Sequence, residues 1–139
     1  MWEVMNSYDY RDLMDLPVDD GSKWQECNTV THAFLSLDFN MNWGYALAPL
    51  LDAGIPVLIY TGDKDYIANW IGANEWTDGL VWEAQNEFQF TPTKEWRTTY
   101  EPEKTAGFVK QFLNFSVVRV KDAGHMVPMD QPARALDLI

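Results

Sequence analysis

The chain is poor in basic side chains and contains no long apolar run. Its 139 residues hold 10 Lys and Arg against 21 Asp and Glu, for a formal net charge of −11. Binding to nucleic acid requires a basic stripe that neutralises phosphates, so we expect no nucleic-acid partner. No apolar run approaches the ~20 residues that cross a bilayer, so we expect no membrane partner.

Cysteine is almost absent as well, since Cys27 is the single one. One cysteine cannot build a metal site by itself. Two interpretations of Cys27 stay open: a small core residue in a cytosolic protein, or half of a disulfide with a partner outside this chain. The first residues, Met1 to Val4, have neither the basic region nor the apolar region of a signal peptide.

The most informative stretch that is present runs from Ile55 to Asp65. Five of its first six residues are apolar and three are β-branched, which predicts a strand buried on both faces of a parallel sheet. Gly62, Asp63 and Asp65 follow this strand. Open α/β sheets carry functional groups just beyond the carboxyl ends of their strands, so these aspartates are candidates for chemistry.

A second predicted strand, Phe115 to Val120, leads into a glycine-containing loop that presents His125. The preceding residues, 104–113, allow either a helix or a strand, and their aromatic residues favour a strand that turns at Leu113-Asn114. A strand followed by aspartate, then a strand followed by histidine, is the second half of the Ser…Asp…His order of α/β-hydrolases.

Local signals predict the remaining elements. We expect helices over 10–16, 43–51 and 69–76, a turn at 19–21, a loop over 79–88, a strand over 96–100, and a last helix opened by Asp130 as N-cap and by Pro132. The helix over 43–51 should end at Ala53-Gly54. The alternation of helices and strands predicts an α/β fold, with a mixed and mostly parallel sheet flanked by helices, in a single domain over residues 1–139.

The last residues stop inside an apolar pattern without a helix-ending signal. We therefore expect the chain to be part of a larger fold. A complete small α/β domain is the alternative.

Two segments resemble those of the serine carboxypeptidase family. Residues 55–72, Ile-Pro-Val-Leu-Ile-Tyr-Thr-Gly-Asp-Lys-Asp-Tyr-Ile-Ala-Asn-Trp-Ile-Gly, are similar to the family's aspartate segment. Residues 123–132, Ala-Gly-His-Met-Val-Pro-Met-Asp-Gln-Pro, are similar to its histidine segment, and Trp76-Thr77-Asp78 also fits. The resemblance covers residues 24–139 and implies the C-terminal part of an α/β-hydrolase fold.

The resemblance implies that Asp65 is the triad aspartate and His125 the triad histidine. Such a carboxylate holds one imidazole nitrogen, so that the other can take a proton from serine and return it to the leaving amine. The alternatives are a helix N-cap for Asp65 and an ordinary loop histidine for His125. Asp63 is the rival carboxylate, which we interpret as a group that orders the loop. His32 lies in no motif.

Four further residues match positions that line the family's substrate pockets: Phe39, Ile67, Ala68 and Met126. Ala68 departs from the pattern, because family members can carry a free cysteine there. The alignment near Phe39 requires a small gap, so Trp43 is kept as a substitute. Ordinary core packing is the alternative for each of them.

The family's nucleophile is missing. Serines stand at positions 7, 22, 36 and 116, and none lies in Gly-x-Ser-x-Gly. In the family the nucleophile, the oxyanion hole and the group that binds the peptide carboxylate belong to the N-terminal region. The resemblance also matches Cys27 to a half-cystine whose partner lies in that region.

The resemblance implies a serine-type carboxypeptidase that releases C-terminal amino acids through an acyl-enzyme, without a metal or an organic cofactor. The expected partners are a peptide substrate and the missing N-terminal part of the same enzyme. The expected location of the parent protein is the vacuole or lysosome, or outside the cell. The alternatives are an inactive truncated remnant or binding module, and an acyltransferase built on the same frame.

Overall fold

The computed structural model describes residues 1–17, 21–39 and 41–139. The helices in these ranges are α1 (Trp2–Met5), α2 (Tyr8–Leu13), α3 (Thr29–Leu35), α4 (Ala48–Asp52), α5 (Trp70–Asp78), α6 (Gln85–Phe90), α7 (Val127–Asp130) and α8 (Pro132–Asp137), with a 3₁₀ turn at Gly44–Ala46. The strands are β1 (Val57–Gly62), β2 (Lys94–Trp96), β3 (Gly107–Phe112) and β4 (Phe115–Val120). The predicted turn at 19–21 lies largely outside the described residues.

The chain forms two compact units, Met1–Met41 and Asn42–Ile139. The first contains α1 to α3, and the helix predicted over 10–16 is α2, displaced toward the N-terminus. Ser7 sets its start by accepting a hydrogen bond from the Tyr10 N–H at 3.3 Å. Within the described ranges, every helix is too short or too polar to traverse a bilayer. The single domain over 1–139 stays a prediction.

The second unit is built on a four-stranded sheet with the order β1-β4-β3-β2. Strand β1 pairs with β4 in parallel, from Val57 opposite Phe115 to Gly62 opposite Val120, and the other two pairings are antiparallel. The mixed sheet and its flanking helices confirm the α/β fold. The parallel majority expected of the whole fold is not found in this part, because short connections join β2, β3 and β4 as antiparallel neighbours.

The turn between β3 and β4 agrees with the prediction, whereas the burial of β1 does not. The turn at Leu113-Asn114 between β3 and β4 is confirmed, and Leu113 adopts a positive φ of 49° there. The prediction that β1 is buried on both faces is wrong for the described residues, since Leu58 and Tyr60 are 38% and 45% exposed. Burial requires neighbours, and β1 lies at the edge of this sheet.

Strand β4 carries the hydrophobic core on both of its faces. Phe115 and Val117 belong to one buried cluster, and Val118 and Val120 belong to the other. The first cluster adds Leu51, Leu80, Trp82 and Phe88, and the second adds Ala123 and Val127. Because side chains alternate along a strand, β4 is fixed from both sides at the point where it leads into the histidine loop.

Two predicted elements between β1 and β3 are wrong in part, although residues 79–84 are a loop as expected. The loop expected over 79–88 contains α6, because Phe88 is fully buried and stacks on Phe115 with ring centroids 4.7 Å apart. The strand expected over 96–100 lies earlier, at β2. The Thr98 hydroxyl accepts the Glu101 N–H and Asp137 accepts the Thr99 N–H, so this backbone bonds to side chains instead of a neighbouring strand.

The remaining helices agree with the predictions in part, since the helix expected over 43–51 is divided into the 3₁₀ turn at Gly44–Ala46 and α4. Helix α4 ends before Gly54, whose φ of 75° suits a residue without a Cβ. Helix α5 is confirmed, with Asn69 as its N-cap. The prediction that Asp130 caps the last helix is wrong: Asp130 is the last residue of α7, and Gln131 occupies the N-cap position of α8. Pro132 does lie in the first turn of α8.

Candidate active site

The loops that follow β1 and β4 are bonded directly to each other. The Asp63 N–H donates to the Val120 carbonyl and the Lys64 N–H donates to the Ala123 carbonyl, both at 2.9 Å. A Cβ on Gly62 would lie 2.2 Å from the Ala123 oxygen, so a residue with a side chain does not fit there. The parallel pairing of β1 and β4 thus continues into the loops that carry the two candidate catalytic residues.

Asp65 and His125 form a hydrogen-bonded pair where these loops meet. The Asp65 Oδ2 atom lies 2.9 Å from the His125 Nδ1 atom, so the predicted proximity is confirmed. The Asp65 side chain is 6% exposed and the His125 side chain is 69% exposed. A buried carboxylate therefore holds one edge of a ring whose other edge faces outward.

The second carboxylate oxygen of Asp65 is occupied by the backbone of its own loop. Oδ1 accepts hydrogen bonds from the N–H groups of Ile67 and Ala68, at 3.0 and 3.1 Å. The N-cap of α5 is Asn69, whose side chain accepts the Gly72 N–H at 2.9 Å. Asp65 is therefore not the helix N-cap, and its carboxylate is oriented from both sides.

These contacts keep the carboxylate ionised. The hydrogen bond from His125 is the main cause that lowers the pKa of Asp65, and the N–H groups of Ala68 and Ile67 lower this pKa further against the opposing effect of burial. An ionised carboxylate only accepts hydrogen bonds, so Nδ1 of His125 carries the hydrogen. With the hydrogen on Nδ1, Nε2 is the nitrogen whose lone pair can take a proton.

The rival carboxylate, Asp63, has a different environment. Its Oδ1 atom is buried and receives no hydrogen bond from the described residues, while its backbone N–H is bonded to β4. The imidazole is bonded to Asp65 and not to Asp63. Lys64, between the two aspartates, forms an ion pair with Asp122 at 2.8 Å.

Three predicted substrate-binding residues adjoin the Asp65–His125 pair. Ile67 and Ala68 lie in the loop that holds Asp65, and Met126 follows His125. Ile67 is 86% exposed, Met126 is 57% exposed and Ala68 is exposed, so none of them is packed in a core. Their contact with a substrate stays a prediction.

The other predicted positions lie apart from these in sequence. Phe39 and Cys27 belong to the first unit, where they line one cavity of about 700 Å³ together with His32. Phe39 is 61% exposed and its ring lies 5.0 Å from that of His32, while Cys27 is exposed. Trp43, the substitute for Phe39, is 50% exposed in the second unit. The binding role of Phe39 and the disulfide of Cys27 stay predictions.

Sequence reasoning named Gly62 and Asp130 but missed their contacts with the histidine loop. Asp130 accepts the Gly124 N–H at 2.7 Å, next to His125, and Gly62 allows the close approach of the two loops. A glycine after a strand was visible in the sequence, but its crowding depends on a loop about sixty positions later. The described ranges contain no group of three or more His, Cys, Asp or Glu side chains able to hold a metal ion.

A carboxylate and an imidazole that meet beyond the carboxyl ends of adjacent parallel strands match the Asp and His half of the α/β-hydrolase arrangement. Comparison with known proteins agrees with this class. A sequence model of the serine carboxypeptidase family matches residues 2–139. The chain belongs to the serine carboxypeptidase family.

Individual relatives match over most of the chain. Carboxypeptidase Y of Candida albicans is 35% identical over 147 aligned positions, covering 99% of this chain and 24% of that protein. Carboxypeptidase Y of Schizosaccharomyces pombe is 47% identical over 90 residues, which is 65% of this chain and 9% of that protein. The chain therefore spans about a quarter or less of the length of these relatives.

A solved structure shows the same fold. The crystal structure of Kex1(delta)p, a prohormone-processing carboxypeptidase from Saccharomyces cerevisiae, matches with a TM-score of 0.73 and 28% sequence identity. The match covers 95% of this chain and 29% of the Kex1 chain.

Proposed function

We propose that this chain is the C-terminal part of a serine-type carboxypeptidase and supplies two members of its catalytic triad. The observation that carries the proposal is the 2.9 Å bond between the buried carboxylate of Asp65 and the exposed imidazole of His125. The family membership supports a hydrolase that acts on peptides. The chain contains no Gly-x-Ser-x-Gly sequence, so the serine nucleophile belongs to the remainder of the parent enzyme.

In the proposed reaction, His125 works as the base and then as the acid. Nε2 takes the proton of the serine hydroxyl as its oxygen attacks the carbonyl carbon of the last peptide bond. The imidazolium then gives this proton to the leaving amino acid, and water hydrolyses the acyl-enzyme in the same two steps. Asp65 keeps the hydrogen on Nδ1 and stabilises the imidazolium that forms.

The same loops provide the proposed contacts with the substrate. Ile67 and Ala68 would face the side chain before the cleaved bond, and Met126 would face the leaving amino acid. These proposed contacts are supported by the exposure of the three residues and by their position next to Asp65 and His125 in the sequence. Phe39 is proposed from the resemblance alone, as is a disulfide from Cys27 to the N-terminal part. The peptide and that part are the proposed partners, in a vacuolar, lysosomal or secreted enzyme.

The proposal is tested first on the chain alone and then on a complete enzyme in which the family's N-terminal part precedes it. The chain alone should not release leucine from an N-acylated Phe-Leu dipeptide, because it has no nucleophile. In the complete enzyme, Asp65→Asn should leave the loop shape intact and mis-set the imidazole tautomer, lowering kcat on the order of 10⁴-fold. His125→Ala should reduce turnover to near background, because no base remains.

Asp63→Asn is the matched control, since it changes a carboxylate two positions away that does not touch the ring. It should cost far less kcat than Asp65→Asn. Equal losses in two folded variants would contradict the assignment of Asp65. Serine-reagent-sensitive activity of the chain alone would contradict the missing nucleophile. An inactive complete enzyme would favour the truncated remnant, and transfer of the acyl group to an added alcohol without peptide cleavage would favour an acyltransferase.

A further inference from the structure

The loop between β4 and α7 holds His125 between two buried residues. Ala123 is fully buried and Val127 is 1% exposed, whereas the imidazole itself is 69% exposed. The ring therefore has little packing of its own, and its direction depends on the backbone of Gly124, His125 and Met126. Whatever fixes this backbone also fixes the imidazole.

Polar contacts hold the start of this loop. The Lys64 N–H donates to the Ala123 carbonyl, and the Gln131 side-chain amide donates to the Asp122 carbonyl, both at 2.9 Å. The Arg134 guanidinium donates to the Lys121 carbonyl at 2.5 Å. All of these contacts end at or before Ala123, so they do not fix the residues next to the histidine.

Asp130 is bonded on both sides of His125. Its side-chain Oδ2 accepts the Gly124 N–H at 2.7 Å. Its backbone N–H donates to the Met126 carbonyl at 3.0 Å, alongside the Met129 N–H at 2.9 Å. The first bond is short for N–H···O, as expected when the acceptor is a carboxylate. A Cβ on Gly124 would lie 3.2 Å from the same oxygen, so the carboxylate is packed closely against this backbone.

We propose that Asp130 is a positioning residue that directs the imidazole of His125 toward Asp65. Its carboxylate accepts the Gly124 N–H, and its own N–H donates to the Met126 carbonyl. The inference rests on the proposed function of the pair. The side chain of Asp130 bonds to the Gly124 backbone, whereas the ring bonds to Asp65. Its effect is to restrict the rotation of the backbone that carries the ring.

The pKa of Asp65 distinguishes this positioning role from a simple effect of the Asp130 charge. This pKa is lowered mainly by the hydrogen bond from His125, so movement of the ring away from Asp65 should raise it. Loss of the Asp130 charge alone should not raise this pKa, because removal of an anion can only make ionisation of Asp65 easier. Asp130→Ala removes both the acceptor and the charge, whereas Asp130→Asn removes the charge and keeps an acceptor oxygen.

The first experiment uses this chain and needs no enzymatic activity. Carboxyl ¹³C NMR should give a higher pKa for Asp65 in Asp130→Ala than in the wild type, and no such rise in Asp130→Asn. Exchange of the Gly124 amide hydrogen should be about tenfold faster or more in Asp130→Ala only, because an amide without its acceptor exchanges without local opening. Asp52→Ala is the matched control, since Asp52 is also an exposed aspartate that accepts a backbone N–H, that of Glu83 at 2.9 Å.

The second experiment measures turnover in the complete enzyme. Asp130→Ala should lower kcat about 10- to 100-fold with little change in KM, because a misdirected base slows the chemical step. Asp130→Asn should recover most of kcat. The NMR result separates the two proposals. If the complete wild-type enzyme is inactive but Asp130→Ala still raises the pKa of Asp65, the positioning role stands and the proposed function is contradicted.

Two outcomes would overturn the inference. One is an Asp65 pKa and a Gly124 exchange rate in Asp130→Ala that equal those of the wild type. The other is equal behaviour of Asp130→Ala and Asp130→Asn, which would leave only the charge as a cause. If Asp130→Ala does not fold, the comparison moves to Asp130→Ser, whose shorter side chain should not span the distance to Gly124. Wild-type values in that variant would also refute the role.

Discussion

The most demanding test of the loop contacts is the substitution Gly62→Ala. Gly62 is the last residue of β1 and is buried. An added Cβ would lie 2.2 Å from the Ala123 oxygen and 2.3 Å from the Gly124 oxygen. Real Cβ atoms do not come so close to backbone atoms, and a backbone cannot rotate away as a side chain can. The two loops must therefore separate by about an ångström.

The expected cost follows from what that separation breaks. Overpacking of a buried position costs about 1–3 kcal/mol. The bonds from Asp63 to Val120 and from Lys64 to Ala123 cross the same gap, and each backbone hydrogen bond contributes about 1 kcal/mol. The sum is about 3–5 kcal/mol, a large part of the roughly 5–15 kcal/mol that stabilises a typical domain.

Urea denaturation of the second unit's sheet, followed by tryptophan fluorescence, measures this loss. Gly72→Ala is the matched control, because a Cβ there lies 3.6 Å from its nearest neighbour, the Asn69 side chain, within α5. Alanine is the better helix former, so Gly72→Ala should stabilise the protein by about 0.5–1 kcal/mol. A Gly62→Ala protein within about 0.5 kcal/mol of the wild type would refute the steric reasoning.

Two further predictions concern acid stability and glycosylation. Because the folded state lowers the pKa of Asp65, this carboxylate adds stability above its unfolded pKa, and the contribution is lost as the pH falls through the folded value. The stability difference between the wild type and His125→Ala should therefore shrink as urea midpoints are measured from pH 5 down to pH 2, and a constant difference would contradict this sign. Asn114 begins an Asn-Phe-Ser sequon, but its Nδ2 donates to the carbonyls of Leu51 and Ile55 at 3.0 and 2.7 Å. Asn114→Ala should cost about 1–2 kcal/mol, and mass spectrometry of protein from a glycosylating host should show no glycan on the folded chain.

The Asp65–His125 pair could be predicted because its signals are local. An apolar β-branched run predicts a strand, and the residues after a strand lie at the sheet edge where catalytic groups collect. The resemblance then selected Asp65 from the two aspartates, a choice that spacing alone left open. The strand pair that turns at Leu113-Asn114 was also local, since aromatic residues before the turn and a β-branched run after it favour strands on both sides.

The errors lie where tertiary neighbours decide the structure. Phe88 of α6 packs against both Trp82 and Phe115, and an Asn- and Glu-rich stretch does not show this contact. Leu58 resembles a core residue in sequence, yet its exposure depends on which strands stand beside β1. Asp130 before Gln131-Pro132 has the sequence signature of an N-cap, but its oxygen has a better donor six residues earlier, at Gly124.

Because β1 pairs directly with β4, the geometry of the Asp65–His125 pair does not depend on the length of chain between the two residues. Asp65 and His125 are 60 residues apart, and their meeting depends on the six-residue register from Val57 to Gly62. Doubling the length of the intervening segment would cost only about 0.6 kcal/mol in chain entropy. A slip of one residue would displace the histidine loop by about 3.3 Å and turn β4 over. We therefore expect insertions between the strands to preserve the Asp65–His125 pair, and a single deletion within either strand to disrupt it.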